Sequence, residues 1–436
     1  MSAARAPDDR RNLVLLTIDA WRPDFVDEHA GVALAPSLRD VAARTVRFDR
    51  AYANGPWTTP ALVSVFSGES PARHGVHFEW SAPRPGGQAL ARALRDAGYC
   101  VPNLCYLNRL DNYANLGFDK ADAPDYPHTP ADDLLTPALH AARTGAAVAG
   151  APLREPFFLW FHYKFVHLPY WPAETFRRAL GVDDAALHPR LRESVCTGFV
   201  VPRQQFRFVP EEDRAPVRRL YAAGVLQMDA WLAGVLDALH AGDGALAART
   251  TLVVTADHGE ELLDHGHVGH ASTAHHAQLH EEVLRIPLLV VDARVRGGPR
   301  RVGLRVQGMD LFPTLLSLAG VAPPPAAGLD LAPLVVDPAA TPPAGSDARP
   351  FYFHAARMGC PTPRTHADQY VEGVSDGRSK VIVERYDETR TLLYDLTRDP
   401  EERDPETDGD CAAVEAAVAA LDTTRTALAA GRKPAA

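Results

Sequence analysis

Cysteine is scarce in this sequence and forms no recognisable pattern. Five cysteines occur among 436 residues, without a CxxC pair, and they are Cys100, Cys105, Cys196, Cys360 and Cys411. An odd, scattered set of this kind argues against a disulfide framework and against a zinc knuckle. It favours a reducing compartment, and we therefore expect a cytoplasmic protein.

Blocks of positive charge and long apolar runs are also missing. The formal net charge is −10 and no cluster of basic residues occurs, so we expect no nucleic-acid partner and no polybasic contact with a membrane. No stretch approaches the roughly 20 apolar residues that cross a bilayer, and the first residues lack a signal-peptide pattern. We therefore expect a soluble chain without a membrane partner.

Short apolar runs alternate with helical patterns along the chain. The runs at 13–18, 157–163, 251–255 and 286–291 are typical of strands buried on both faces. Apolar residues at helical spacing occupy 89–97, 217–239, 310–319 and 412–429. This alternation predicts an α/β fold with a large, mostly parallel sheet flanked by helices.

A proline-rich segment divides the chain into two parts. Residues 321–350 are rich in proline and small residues, which is typical of an irregular connection. We predict a catalytic domain over 1–325 and a smaller C-terminal α+β subdomain over 326–436, with a short antiparallel sheet and a terminal helix. The polar stretches 174–213 and 355–367 have no readable motif and are expected to shape substrate access.

Acidic and imidazole groups follow two of the predicted strands. Asp19 comes directly after the first strand, and Asp257 and His258 follow TLVVTA. In a parallel sheet the carboxyl ends of strands open into the ligand crevice, where such groups suit a divalent cation. A single aspartate after a strand is more often a turn former or a helix cap, so the metal interpretation depends on the clusters meeting.

A threonine precedes a predicted helix in the segment WTTPALVSVFSG. Pro60 suits the first turn of a helix and Thr59 suits its cap, so Thr58 is expected just outside the helix N-terminus. Backbone N–H groups there favour an anion. A threonine hydroxyl becomes a nucleophile only with a base or a metal ion to lower its pKa, so this motif requires the first cluster.

Histidines cluster after the second and third of the predicted strands. His265, His267 and His270 follow Asp257 on a glycine-punctuated loop, and His167 lies just past FLWFHY, beside His162 and Lys164. A set of this size is a stronger functional signal than any lone histidine, although a structural histidine cluster remains the alternative.

Eight strings in a fixed order resemble the alkaline phosphatase superfamily, on its sulfatase-like branch of sulfatases, phosphonate monoester hydrolases and phosphoethanolamine transferases. They are NLVLLTIDAWRPD, WTTP with FSGESPARHGV, HLPY, TADHGE, DHGHVGH, HEEVLRIPLLV, MDLFPTLLSLAG and LYDLTRDPEE. The resemblance implies an alkaline phosphatase-like fold. It also implies one divalent metal ion held by Asp19, Asp257 and His258, with Thr58 as nucleophile and further ligand.

The resemblance also gives roles to three histidines. It implies that His270 contacts the transferred group and that His167 binds substrate or assists the leaving group. His265 matches the histidine of the second DHG string. We expect His167 or His265 to protonate the leaving oxygen and later to activate water.

The sequence departs from the sulfatase pattern at the nucleophile. Sulfatases carry Cys or Ser there, within CxPSR, and this residue is oxidised to formylglycine. Thr58 cannot become that aldehyde, and Leu62 replaces the accompanying arginine. Ala20 replaces the second of two usual aspartates, which favours Zn²⁺ or Mn²⁺ over Ca²⁺ or Mg²⁺.

These features together predict a metal-dependent hydrolase of small phosphate or phosphonate esters, a phosphodiesterase or phosphomonoesterase, acting through a covalent phosphothreonine. Three alternatives stay open: a sulfuric ester hydrolase with unmodified threonine, a soluble phosphotransferase, and a catalytically silent binding member. The oligomeric state and a second metal ion also stay open.

The nucleophile assignment leads to a direct prediction. Thr58→Ala is expected to abolish ester turnover because the attacking oxygen is removed, while the fold stays intact. Turnover assays with a thermal melt of the same preparation measure both effects. Retained activity in a folded Thr58→Ala protein would show that Thr58 is not the nucleophile.

Overall fold

The architecture is that of a computed structural model, which describes residues 10–77, 81–84, 86–109, 116–118, 123–129, 132–148, 151–196, 210–271, 277–356, 369–407 and 412–434. The described strands are β1 (Asn12–Ile18), β2 (Glu28–His29), β3 (Val32–Ala33), β4 (Thr45–Tyr52), β5 (Ala147–Val148), β6 (Ala151–Pro152), β7 (Phe158–Tyr163), β8 (Thr250–Ala256), β9 (Glu261–Leu262), β10 (Val268–Gly269), β11 (Arg285–Asp292), β12 (Arg300–Gln307), β13 (Phe351–Ala356), β14 (Tyr370–Ser375), β15 (Ser379–Arg385), β16 (Thr389–Asp395) and β17 (Glu406–Thr407).

Helices cover and connect these strands. The described α-helices are α1 (Ser37–Asp40), α2 (Thr58–Ser67), α3 (Pro71–His74), α4 (Leu90–Asp96), α5 (Leu135–Thr144), α6 (Glu174–Ala179), α7 (Pro189–Leu191), α8 (Arg214–His240), α9 (Ala245–Arg249), α10 (Glu281–Leu284), α11 (Leu311–Leu318), α12 (Ala332–Val336) and α13 (Ala412–Ala429).

A six-stranded sheet forms the centre of the first part of the chain. Its strand order is β12-β4-β11-β8-β1-β7, and β11 alone runs antiparallel to its neighbours. Every residue of β1, β7 and β8 is buried, which explains their continuous apolar sequences. The prediction of a mostly parallel α/β sheet flanked by helices is confirmed.

The register of three neighbouring strands positions the site. Ile18 at the end of β1 pairs with Tyr163 of β7 on one side and with Ala256 of β8 on the other. Because the three strands are parallel and end at the same level, the residues that follow them emerge at one edge of the sheet.

The longest helix packs against the sheet. Helix α8 buries a continuous set of side chains, including Leu220, Tyr221 and Leu232, each with no exposed surface. Residues 211–240 are long and apolar enough to cross a membrane, but 61% of the most apolar window is buried inside the protein. The interpretation of 217–239 as a core-packing helix therefore agrees with its packing.

A separate antiparallel sheet forms the C-terminal part. Strands β13 to β17 pair in sequential order, and α13 packs against them with Leu421 and Leu428 buried. The predicted C-terminal subdomain with an antiparallel sheet and a terminal helix is confirmed. The boundary between 325 and 326 stays a prediction.

Two strands of the six-stranded sheet were not predicted. β4 and β12 carry charged residues at positions that interrupt an apolar run, such as Arg47, Asp49 and Arg301. These charges form ion pairs across the strands, with Arg301 Nη2 2.8 Å from Asp49 Oδ1. Of the two access segments predicted from sequence, most of 355–367 and residues 197–209 lie outside the described residues.

A buried lysine of β15 joins the two parts of the protein. Lys380 has no exposed side-chain surface, and its Nζ lies 2.8 Å from Glu281 Oε1 of α10 and 2.7 Å from Glu402 Oε1. The same Nζ donates to the carbonyl oxygen of Leu279 at 3.0 Å. Removal of this cation would leave two carboxylates without their counter-charge.

We therefore expect Lys380→Met to lower the free energy of unfolding by about 3–5 kcal/mol. The control is Arg398→Met, because Arg398 is 87% exposed in its 3.6 Å ion pair with Asp395. Because both partners of that pair are exposed to solvent, Arg398→Met is expected to leave the free energy of unfolding almost unchanged. Urea denaturation of the three proteins measures the difference, and equal midpoints would contradict the structural role of Lys380.

Candidate metal and ester-transfer site

Four polar side chains meet where β1, β7 and β8 end. Asp19 follows β1, Asp257 and His258 follow β8, and His162 is the penultimate residue of β7. All four are buried, with at most 6% of the residue exposed. The structure therefore brings together the three residues predicted as metal ligands and adds His162.

The distances within this cluster are short. His258 Nε2 lies 3.5 Å from Asp19 Oδ1, 3.4 Å from Asp257 Oδ2 and 3.4 Å from the Thr58 hydroxyl oxygen. Ligand atoms that share one divalent ion lie about 3–3.5 Å apart at bond lengths of 2.0–2.4 Å. Three candidate ligand oxygens thus lie at this spacing from His258 Nε2.

Two carboxylate oxygens of the cluster are buried without a hydrogen-bond partner among the described residues. They are Asp19 Oδ1 and Asp257 Oδ2, the same two atoms that face His258. Asp257 Oδ1, by contrast, accepts hydrogen bonds from the backbone N–H groups of Ala20 and His258 at 3.1 and 2.8 Å. Because a buried carboxylate oxygen is costly unless it is paired, this donor set fits a cation.

The orientation of His258 also suits a ligand. Its Nδ1 donates to the carbonyl oxygen of Gly259 at 2.7 Å, which leaves Nε2 to face the two aspartates. Burial by itself would lower the pKa of His258, but Asp257 and Asp19 raise it to about 9. Burial would likewise raise the pKa of Asp19, but His167, His162 and His258 hold it well below its usual value. Negative charge therefore dominates the site and attracts a proton or a metal ion.

The N-terminus of α2 places Thr58 beside these groups. The helix begins at Thr58, and the extended residue before it is Trp57 (φ −164°, ψ 165°). The expectation that Thr59 caps the helix and that Thr58 lies outside it is therefore wrong, because the helix begins two residues earlier than expected. Thr58 is half-buried, whereas Thr59 and Pro60 are buried in the protein.

His162 holds Asp19 in position. The hydroxyl of Thr17 lies 2.8 Å from His162 Nδ1 and accepts the indole N–H of Trp160 at 3.0 Å. This arrangement leaves the Thr17 hydrogen for His162 Nδ1, so that Nε2–H donates to Asp19 Oδ2 at 3.2 Å. Asp19, His162 and Asp257 also lie close enough to share a metal ion.

A chain of three polar side chains leads away from the cluster. Glu260 Oε1 lies 2.8 Å from His270 Nδ1, and His270 Nε2 lies 3.1 Å from His167 Nε2. The His270 ring also lies against the His258 ring, with 4.2 Å between centroids. Burial raises the pKa of Glu260 to about 7, with His167 and His258 acting in the opposite direction. The structure thus joins the predicted His167 and His270 to the metal cluster.

His265 lies in a different group. Its Nδ1 is 2.5 Å from Glu282 Oε1, and its Nε2 donates to the carbonyl oxygen of Glu402 at 3.0 Å. Both ring nitrogens are therefore engaged away from Asp19 and Thr58. The structure does not bring His265 together with the other predicted residues, and its expected part in protonating the leaving oxygen has no support from these contacts.

Sequence reasoning assigned no role to His162 or Glu260. His162 pairs with Thr17, which lies two residues before Asp19, and this register places His162 beside the carboxylate. The register of a strand pair is visible only in the folded sheet. Glu260 stands in TADHGE two residues after His258, and its contact with His270 depends on the loop between them.

The chain matches known proteins along most of its length. A family model described as Sulfatase matches residues 11–321. The uncharacterized sulfatase YidJ of Escherichia coli is 23% identical over 360 residues, which cover 72% of this chain and 69% of YidJ. Arylsulfatase K of Mus musculus is 29% identical over 196 residues, which cover 44% of this chain and about a third (32%) of arylsulfatase K.

A solved structure shares the fold. The phosphonate monoester hydrolase of Agrobacterium radiobacter superposes with a TM-score of 0.72 at 21% identity, covering 96% of each chain. At this level of identity the likeness concerns the fold.

The unpartnered oxygens lead to a prediction about metal binding. Asp257→Asn keeps the acceptor for Ala20 and His258 but removes the negative charge, so we expect metal affinity to fall by more than about tenfold. The control is Asp292→Asn, a buried carboxylate that pairs with Thr251 at the opposite end of β8 and is expected to leave metal affinity unchanged. Elemental analysis after dialysis against Zn²⁺ or Mn²⁺ measures the metal content of both variants. Equal metal content in the two variants would contradict this site.

Proposed function

Since this chain belongs to the sulfatase family, whose model spans residues 11–321, and is therefore an ester-bond hydrolase, we propose that it hydrolyses small phosphate or phosphonate esters through a covalent phosphothreonine at Thr58. Family membership confirms the resemblance carried by the sequence motifs. The nucleophile and the choice of ester are the parts proposed here.

The position of the Thr58 hydroxyl carries this proposal. Its oxygen lies 3.4 Å from His258 Nε2, beside two buried carboxylates, and Thr58 is the first residue of α2. Backbone N–H groups at a helix N-terminus stabilise an anion. Thr58 is thus placed to attack an anionic ester. Its β-carbon carries a methyl group and cannot be oxidised to the aldehyde of the sulfatase nucleophile.

Asp19, Asp257, His258 and Thr58 would hold a single divalent ion, with His162 as a further candidate, and zinc or manganese suits this mixture of nitrogen and oxygen ligands. Such an ion would lower the pKa of a neighbouring hydroxyl and would offset negative charge on the ester.

The reaction proceeds in two displacements. The Thr58 hydroxyl releases its proton to solvent, and its oxygen attacks phosphorus in line, so that a bond from that oxygen to phosphorus forms while the bond to the leaving oxygen breaks. The leaving oxygen takes a proton from His167. Water then gives a proton back to His167 and attacks phosphorus opposite the Thr58 oxygen. The bond from phosphorus to that oxygen breaks, phosphate or phosphonate is released, and the Thr58 oxygen takes a proton from solvent.

The hydrogen-bond chain of Glu260, His270 and His167 supplies that proton. His167 Nδ1 faces the carbonyl oxygen of Leu168, which only accepts, so Nδ1 carries a hydrogen. With Glu260 ionised, His270 donates Nδ1–H to it and offers the Nε2 lone pair to His167 Nε2–H. His167 acts as the general acid in the form that carries a proton on both ring nitrogens, and its Nε2–H passes from His270 to the leaving oxygen, while Glu260 positions His270.

Sulfate esters are the second candidate substrate. The family description and the relatives YidJ and arylsulfatase K favour them, and sulfate hydrolysis would require the unmodified threonine to attack sulfur. A phosphotransferase would use the same site with an alcohol in place of water. The cytoplasmic location stays a prediction.

A panel of nitrophenyl esters tests the proposal. The full-length protein is stripped of metal, reloaded with Zn²⁺ or Mn²⁺, and assayed with a phosphate monoester, a phosphate diester, a phosphonate ester and a sulfate ester. We expect kcat/KM for a phosphorus ester to exceed that for the sulfate ester, and Thr58→Ala to lose both. Thr58→Ser, which keeps the hydroxyl, is the matched control and should retain turnover.

Each contrary outcome of the panel has a definite meaning. Sulfate turnover above phosphorus-ester turnover would overturn the substrate assignment. Equal loss in Thr58→Ser and Thr58→Ala would count against a hydroxyl nucleophile. No turnover of any ester by a metal-loaded protein would support a silent binding member.

The general-acid role of His167 makes a separate prediction. His167→Asn should lower kcat by about 10²–10⁴-fold for a phenyl ester and by much less for a nitrophenyl ester, whose leaving group needs no proton. His188→Asn is the control, because His188 is exposed and caps α7 through Nδ1, a position that Asn also suits. Equal losses for the two esters would contradict proton donation by His167.

A further inference from the structure

A second group of potential ligands lies apart from the ester-transfer site. His265, His280 and Glu282 each offer one ligand atom, and these three atoms lie within 4.8 Å of one another. His265 comes from the turn between β9 and β10, His280 precedes α10, and Glu282 belongs to α10. The group therefore joins two segments that are separated in sequence.

A fourth donor stands beside these three. Glu261 Oε2 lies 3.7 Å from His265 Nδ1, and the backbone N–H of His265 donates to Glu261 Oε1 at 2.5 Å. The Glu261 side chain is 2% exposed. Two imidazoles and two carboxylates form a donor set that zinc-class ions bind in proteins.

Two of these donors have buried atoms without a hydrogen-bond partner among the described residues. Glu261 Oε2 is one, and His280 Nδ1 is the other, in a residue that is 8% exposed. His280 Nε2 has a single long contact, 3.3 Å, with the Tyr394 hydroxyl. Buried polar atoms without partners are rare in folded proteins, and two of them in one small group indicate a missing ligand.

The local charge supports the same conclusion. Four carboxylates surround the group, those of Glu261, Glu281, Glu282 and Glu402, and their side chains are at most 16% exposed. Lys380 pairs with Glu281 and Glu402, and Arg285 also acts on Glu281. Among the described residues, the recorded ion pairs of Glu261 and Glu282 are with His265 alone, so no lysine or arginine pairs with these two carboxylates and a divalent ion would supply the counter-charge.

A proton on His265 is the competing source of this counter-charge. Burial by itself would lower the pKa of His265, but Glu261 and Glu282 raise it to about 10. A protonated His265 balances one carboxylate and leaves His280 Nδ1 unpartnered. A cation bound by one nitrogen of each ring and by the carboxylates of Glu261 and Glu282 would give a partner to His280 Nδ1 and to Glu261 Oε2.

We propose that His265, His280, Glu282 and Glu261 form a structural site for a zinc-class divalent cation, separate from the ester-transfer site. The two rings are stacked, with 3.8 Å between centroids and 8° between planes. Because a nitrogen lone pair lies in the plane of its ring, binding turns one ring. His280, held by its long contact with Tyr394, is the ring that turns. The bound ion fastens the β9–β10 turn to α10.

Counting bound ions in the full-length protein tests this site without any assay of activity. Metal-free protein is loaded with Zn²⁺, dialysed and analysed for zinc. Asp257→Asn removes a ligand of the ester-transfer site, while His280→Ala and Glu282→Gln each remove one of the proposed site. We expect wild type to hold one equivalent more than either Asp257→Asn or His280→Ala, and Asp257→Asn combined with His280→Ala to hold none.

The identity of the ligands has its own readout. Co²⁺ bound to Asp257→Asn should give the intense visible absorption of a tetrahedral site, and Glu282→Gln should shift it without unfolding the protein. His188→Ala, at an exposed histidine, is the control for histidine loss. Equal zinc content in wild type and in folded His280→Ala or Glu282→Gln would overturn the proposal, whatever esters the protein hydrolyses. Loss of all zinc in Asp257→Asn would overturn it as well.

Discussion

Two buried carboxylates set the constraint on which the site depends. The parallel register of β1 and β8 brings Asp19 and Asp257 to the same edge of the sheet, and each aims an unpartnered oxygen at His258. Asp19 and Asp257 each offer an oxygen within 4.8 Å of the other. Two negative charges that are this close and buried repel each other and lose their hydration, so they are stable together only beside positive charge. The rest of the site follows from that requirement. His162 holds one carboxylate, backbone N–H groups hold the other, and α2 brings in a threonine oxygen.

The fold makes this arrangement rigid without help from the loops. Asp19, His162 and Asp257 all stand at the ends of fully buried strands, so their separations are fixed by backbone hydrogen bonds and apolar packing. Thr58 stands at the start of a helix whose end, Gly68, adopts φ +67° under Phe312, where a β-carbon would lie 2.8 Å from the ring. The proposed nucleophile and the candidate metal ligands are thus held by separate elements that share one core, as precise catalytic geometry requires.

Much of this was predictable from sequence, and the misses have physical reasons. The buried strands and the α/β class followed from the apolar runs, and the grouping of Asp19, Thr58, Asp257 and His258 was implied by the family resemblance. β4 and β12 were missed because their charges are paired across strands, which a linear pattern does not show. His265 was grouped with His270 because they are close in sequence. The β9–β10 pairing separates them, since Leu262 pairs with Val268 and His265 lies in the turn between. His162 required the strand register.

The central claim is that the Thr58 oxygen takes the phosphoryl group before water does. Hydrolysis of a phosphorothioate monoester made chiral at phosphorus with two oxygen isotopes, carried out in water labelled with the third, tests it most directly, because each in-line displacement inverts the configuration. Two displacements through Thr58 predict net retention in the inorganic thiophosphate released. Net inversion would show that water attacks the substrate directly, and Thr58 would then be a ligand or a helix-terminal residue without a covalent part in the reaction.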